Sequence, residues 1–315
     1  MYELIAAAGV ILVSLCFIQV LSLPTVTKAQ RVLVDFGHVP VFALVAFALL
    51  NLARIGLRSS TRRPAPRHYL IAAVTVSLLA VTSEALQLLD HSKVASGGDL
   101  VRNGGGGALG LLLCAAYYTR EADGTRRRAR AALVTTASLL LACLLFPVAW
   151  TSAAYVHKVA SWPVVLGDSY RLELPYAAAY GSELKIVRMP NEWRLDGRAS
   201  ALRLRIHDCE QCGVLVQELH REWEGLTSIC LELTNPENDA LRLSVQLGDA
   251  PMFFRSSAFN ETAITINAGT RVTRCHPLPN PEKPESSITG GYRSLALLSS
   301  ADEPLEYFIH RVWLE

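Results

Sequence analysis

Along the chain, the apolar and polar positions change their period once, across a short stretch between about residues 155 and 170. Before that point the apolar residues come in runs at 5–23, 32–53, 69–89, 100–118 and 131–152. A helix rises about 1.5 Å per residue and a bilayer's hydrocarbon core is about 30 Å thick, so runs of roughly twenty residues predict membrane-spanning helices. The first run has Glu3 and no Lys or Arg before it, and no small-x-small cleavage site after it. It is therefore read as a span rather than a cleaved leader.

From about Tyr170 onwards the period falls to two. Leu202, Leu204 and Ile206 alternate with Arg203, Arg205 and His207, and Leu241, Leu243, Val245 and Leu247 alternate with Arg242, Ser244 and Gln246. Such alternation predicts half-buried antiparallel strands. Further strands are expected at 183–188, 227–233, 263–267, 294–298 and 307–314, between Asn-Pro, Gly-Asp and Pro-rich turns. The expected architecture is an α-helical membrane bundle of five transmembrane helices over residues 1–155, a linker at 156–169, and an all-β sandwich of jelly-roll type at 170–315. The segment 280–291 reads as a long exposed connector.

Composition supports the division. Only 18% of the 315 residues are charged, too few for an ordinary soluble chain of this size, and the apolar excess lies in the first half. The net charge of +2 is small, and the arginines stand in links between apolar runs rather than in a patch interleaved with aromatics, which argues against a nucleic-acid partner. Arg54, Arg58, Arg62, Arg63 and Arg67 fill one link, and Arg120, Arg126, Arg127, Arg128 and Arg130 another. The alternate links hold only Lys28 and Arg31, or Lys93. Basic links stay inside, so the N-terminus is expected in the cytoplasm and everything after Ser152 outside.

That orientation gathers the polar residues of the apolar half at one face. Asp35 and His38 open the second run, Glu84 and Gln87 close the third, and Asp99, Arg102 and Asn103 open the fourth. Short acids and amides within apolar helices are costly and mark functional sites, so these seven residues form a candidate outer-face cluster for binding or catalysis. Glu84 and Gln87 are three apart and Asp99 and Asn103 four apart, which puts each pair on one helix face. Gly106, Gly107 and Gly110 follow, a small-residue surface expected to let a neighbouring helix approach closely. The glycine run lacks a following Lys-Ser/Thr, so it is not read as a nucleotide loop.

Asp35-x-x-His38, Glu84-x-x-Gln87, and Asp99-x-x-x-Asn103 running into Gly107 and Gly110 resemble, in that order, the VanZ-like family of bacterial membrane proteins, over about residues 5–150. That family often has Lys directly after the first Asp, where this chain has Phe36. Its founding member is associated with resistance to the glycopeptide teicoplanin, so the resemblance implies a role at the cell envelope, in the bacterial cytoplasmic membrane. In the second half, Trp223-Glu-Gly-Leu226, Leu231-Glu-Leu-Thr-Asn-Pro236 and a closing strand through Tyr307 and Trp313 resemble the jelly rolls of carbohydrate-binding modules. Trp193, Trp223 and Tyr292 are the aromatics that could stack on sugar rings.

Cys16, Cys114 and Cys143 lie within apolar runs and read as small apolar residues. Cys209, Cys212, Cys230 and Cys275 are an even number in the exported half, which favours two disulfides, Cys209 with Cys212 and Cys230 with Cys275. Zinc at Cys209-x-x-Cys212 with His207 is the less favoured alternative, since no second ligand pair stands at zinc spacing. No metal or cofactor is expected, although a divalent cation could bridge the carboxylate cluster.

Two function classes follow. In the favoured one the cluster binds the polar head of an envelope lipid, such as a lipid-linked cell-wall precursor, while the sandwich binds an exported glycan or a partner. In the alternative, His38 and one of the acids hydrolyse or transfer a lipid-linked phosphate or glycan. Three carboxylates and no clear nucleophile weigh against the second.

Overall fold

The computed structural model describes residues 27–57, 63–89, 96–119, 124–167, 169–194, 200–207, 209–219, 225–248, 260–278, 294–301 and 304–315. The expected first span at 5–23, Cys16, Lys93, Trp223, Tyr292 and the connector at 280–291 lie outside these residues. The chain forms two compact units that divide between Trp150 and Thr151.

The first unit is helical. Helix α1 (Lys28–Phe36) opens on a capping box, in which the Thr27 hydroxyl accepts the Gln30 N–H at 3.2 Å and the Gln30 side chain accepts the Thr27 N–H at 3.1 Å. Gly37, in right-handed helical geometry, carries the chain into α2 (His38–Gly56). Helices α3 (Pro66–Leu89), α4 (Gly97–Tyr118) and α5 (Gly124–Ser161) follow. Among the described residues, three stretches are long and apolar enough to cross a membrane: Lys28–Gly56, Pro66–Gln87 and Thr125–Ser161. Helix α4, expected as a span over 100–118, is not among them. Asp99 and Arg102 in its first turns, followed by glycines, lower its apolar content.

Helix packing in this unit runs through small residues. A Cβ on Gly106 would stand 2.4 Å from the Val39 carbonyl oxygen, and one on Gly110 would stand 2.5 Å from that of Ala43, so α4 lies backbone to backbone on α2. Gly107 faces Val76 of α3, and Gly105 faces Leu144 of α5. Phe42, Val45, Leu50 and Leu109 fill the interior between the helices, yet many large apolar side chains face outward: Leu44, Phe47, Leu70, Leu78, Leu113, Leu139 and Phe146 are exposed. So many exposed leucines and phenylalanines exceed what a water-facing surface normally carries.

The second unit is a sandwich of two antiparallel sheets. One runs β3 (Ser182–Arg188), β4 (Ser200–Ile206), β11 (Leu305–Leu314), β6 (Ser228–Asn235), β9 (Thr270–Pro277), with β1 (Val164–Leu166) also paired to β11. The other runs β2 (Ala177–Tyr180), β5 (Cys209–Gln217), β10 (Ser294–Ala301), β7 (Leu241–Gly248), β8 (Asn260–Ile266). The alternating leucines behave as their period predicts, with Leu202, Leu204, Ile206, Leu241, Leu243, Val245 and Leu247 all in the core between the sheets.

Several elements depart from expectation. Residues 156–169, expected as a linker, continue helix α5 to Ser161, then form β1 and lead to a short helix α6 (Tyr170–Glu173). Helix α5 has 38 residues, about 57 Å at the usual rise, well beyond the run at 131–152. Its last turns pack within the sandwich unit, where buried Lys158 donates to the Gln217 carbonyl at 2.5 Å and sits 4.2 Å over the Tyr176 ring. Strands β1, β2, β5 and β9 carry no clean alternation and were not expected.

Candidate functional site

The helical unit draws its polar residues into two linked groups. In the first, Asn103 is wholly buried and bridges two helices. Its carbonyl oxygen lies 2.9 Å from His38 Nδ1 at the head of α2, and its Nδ2 donates to Glu84 Oε1 on α3 at 3.3 Å. The other Glu84 oxygen accepts the Ser96 backbone N–H at 3.2 Å. Ser96 is the N-cap of α4, and its hydroxyl accepts the Gly98 N–H at 3.1 Å. Glu84 therefore joins the tail of α3 to the start of α4, where free N–H groups favour a carboxylate. Gln87, one turn after Glu84, is buried as well.

In the second group Arg102 pairs with Asp99 one turn earlier on α4 and reaches Asp35 of α1 at 3.6 Å. Arg102 thus sets a cation from α4 beside Asp35, in addition to Arg31 of α1 itself, while Phe36 packs with Val39, Leu109 and Ala137. All seven sequence-predicted cluster residues lie among the described residues at the ends of α1 to α4. The partnership differs from the predicted one in detail. Asp99 turns to Arg102, while Asn103 turns to the other helices. Ser96 was missed, though Ser96-x-x-Asp99 ahead of a helix is a capping signal.

Both disulfides form in the expected pairing, Cys209 with Cys212 and Cys230 with Cys275. The second ties β6 to the edge strand β9. Among the described residues one trio of His, Cys, Asp or Glu brings its ligand atoms within 4.8 Å of one another, namely Cys230, Cys275 and Glu315. Its two sulfurs are already bonded to each other. Gly181 turns β2 into β3 at φ +57°, where a Cβ would lie 2.0 Å from Cys212 Sγ, so the first disulfide sits against a position that only glycine suits. Trp193 is half-buried and packs with Met189, Ala201 and Phe308.

A cavity of ≈ 220 Å³ that the sequence did not single out opens on the outer face of the five-stranded sheet. It is lined by Gln211, Arg242, Ser244, Gln246, Glu261 and Ser299 over Leu298 and Ala263. Ser244 donates to Glu261 at 2.6 Å and accepts from Gln246 at 3.2 Å. These are the polar members of the β7 and β8 alternations, a guanidinium, an amide and a carboxylate on neighbouring strands above an apolar floor. Such a surface offers both donors and acceptors to a hydroxyl-rich ligand.

No family model matches the chain, and no curated protein matches it. Among solved structures, the sandwich unit is similar to part of an exo-beta-agarase at 11% identity and a TM-score of 0.36, covering 44% of this chain and 24% of that one. It is similar to the family 11 carbohydrate-binding module from Clostridium thermocellum, in complex with a beta-1,3-1,4-mixed-linked tetrasaccharide, at 9% identity and a TM-score of 0.31, covering 44% of this chain and 88% of the module. The CBM22-1–GH10 modules of the C. thermocellum xylanase 10B, complexed with xylohexaose, match at 12% identity and a TM-score of 0.35, covering 48% and 28%. The chain thus spans about a quarter of the agarase and of the xylanase modules.

Proposed function

We propose that the chain is a multi-pass protein of the bacterial cytoplasmic membrane whose helix ends hold, at the outer face, the polar head of an envelope lipid or lipid-linked glycan, and whose exported sandwich takes glycan. The observation that carries this reading is Asn103, with no exposed surface, joining His38 and Glu84 across three helices whose outward faces are leucine-rich. Buried polar groups of this kind are costly in an apolar setting and are retained where a ligand needs them. The arginine-rich links support the orientation, and the ordered VanZ-like motifs support a role at the envelope. In the sandwich, the cavity over Leu298 supplies the glycan surface.

The test is the lipid that leaves the membrane with the protein. Full-length chain extracted in mild detergent from its own membrane should carry a lipid with a glycosylated head in near-stoichiometric amount, read by mass spectrometry. Recovery of bulk lipid alone, in the proportions of the membrane, contradicts the reading.

A further inference from the structure

The first polar group specifies which nitrogen of His38 is left for a ligand. Asn103 Nδ2 donates to the Glu84 carboxylate, and turning the amide over would set its oxygen against a carboxylate oxygen. The carboxylate is itself pinned by the Ser96 N–H, so the amide has one favourable orientation, with its oxygen toward His38 Nδ1. An amide oxygen only accepts, so Nδ1 must carry the proton. In the neutral ring Nε2 is then a bare lone pair.

We propose that His38 presents Nε2 as a hydrogen-bond acceptor for a hydroxyl of a neutral, sugar-bearing lipid headgroup, with Asn103 and Glu84 as the positioning residues that hold this tautomer. This rests on the reading of the cluster as a headgroup site and narrows it. Arg102 is engaged by both Asp35 and Asp99, so it is not free to neutralise a phosphate. Three carboxylates outnumber the guanidiniums of Arg102 and Arg31, so the cluster keeps a net negative charge that repels an anionic head. What the site can receive is an O–H donor without net negative charge.

The experiment is 15N spectroscopy of the full-length protein, histidine-labelled, in phosphatidylcholine nanodiscs at a pH about two units above the ordinary histidine value of about 6.5. The His38 resonances are identified by their absence from His38→Gln. Nδ1 should appear as the protonated nitrogen and Nε2 as the unprotonated one in the wild type. Asn103→Leu should return the ring to the Nε2–H form. Should that variant not fold, Glu84→Gln, which no longer dictates the amide orientation, should give a mixture of the two forms. Adding a monoglucosyl diacylglycerol should move the wild-type Nε2 resonance, and phosphatidic acid should not. A wild-type Nε2–H tautomer overturns the inference while leaving the copurified-lipid test standing, so the two can fail separately. A resonance moved by phosphatidic acid and not by the glycolipid, or by neither, overturns the hydroxyl assignment.

Discussion

Asn103 satisfies two groups at once, and removing it strands both. Asn103→Leu keeps approximate volume but leaves His38 Nδ1 and one Glu84 oxygen without their partner, each costing about 1–3 kcal/mol in a buried setting. A fall in melting temperature of the detergent-solubilised protein should follow, larger than for Gln87→Leu, which breaks no bond to Asn103. In the sandwich the corresponding test falls on Arg242 and Glu261 at the sheet cavity. Arg242→Ala and Glu261→Gln should each weaken binding to a glycan array about tenfold or more, the scale of one charged hydrogen bond, with melting temperature unchanged. Unchanged array binding would remove the cavity from the account. At this scale the candidates His38, Glu84 and Asn103 were legible because an acid or an amide in an apolar run is expensive. Their partners were not. Spacing along one helix places Asp99 and Asn103 on a common face, but which neighbouring helix each meets depends on packing that the i, i+4 rule does not contain. The sheet cavity was invisible for a different reason: Arg242, Ser244 and Gln246 look like the ordinary wet side of a strand until β8 brings Glu261 beside them.

Among the elements, α4 is the one whose sequence and packing agree most closely. Its glycines differ in what surrounds them, and the difference predicts opposite outcomes. Gly106→Ala drives a Cβ into the Val39 backbone and should cost about 1–3 kcal/mol, as overpacking does. Gly104 has nothing within 4 Å, so Gly104→Ala should be neutral or stabilise the helix by up to about 1 kcal/mol. Thermal unfolding of the two variants side by side checks the pair. The disulfides divide similarly. Cys230 and Cys275 close a separation of 45 residues, against 3 for Cys209 and Cys212. Losing the first, as Cys230→Ser with Cys275→Ser, should cost about 2–4 kcal/mol, and losing the second much less. Equal effects in denaturant titrations would contradict the loop-closure argument. The strands that the sequence hid were hidden for different reasons. Strand β9 is a sheet edge, half-exposed or exposed along its whole length, so nothing imposes an alternation on Thr270–Pro277. Strand β2 is three alanines and a tyrosine, and β1 is too short to show a period.

For the molecule as a whole, helices come first and a sandwich follows, as the change of period between about residues 155 and 170 predicts, while the two compact units divide earlier, between Trp150 and Thr151. What the period could not reveal was that α5 runs on to Ser161, because His157 and Lys158 interrupt its last turns and read as the start of a link rather than as helix. The orientation argued from the arginines makes its own prediction. A reporter active only after export, fused after Glu315, should be active, while the same reporter fused after Arg63 should be silent. The reverse pattern would move the polar cluster to the cytoplasmic face and end the envelope reading. The most direct measurement is native mass spectrometry of the full-length protein, wild type beside Asp35→Asn, Glu84→Gln and Asp99→Asn, each extracted from membranes at matched abundance. The account predicts a bound headgroup-bearing lipid on the wild type and its loss from every variant, since charge is removed while shape is kept. Equal lipid occupancy in all four proteins would contradict it.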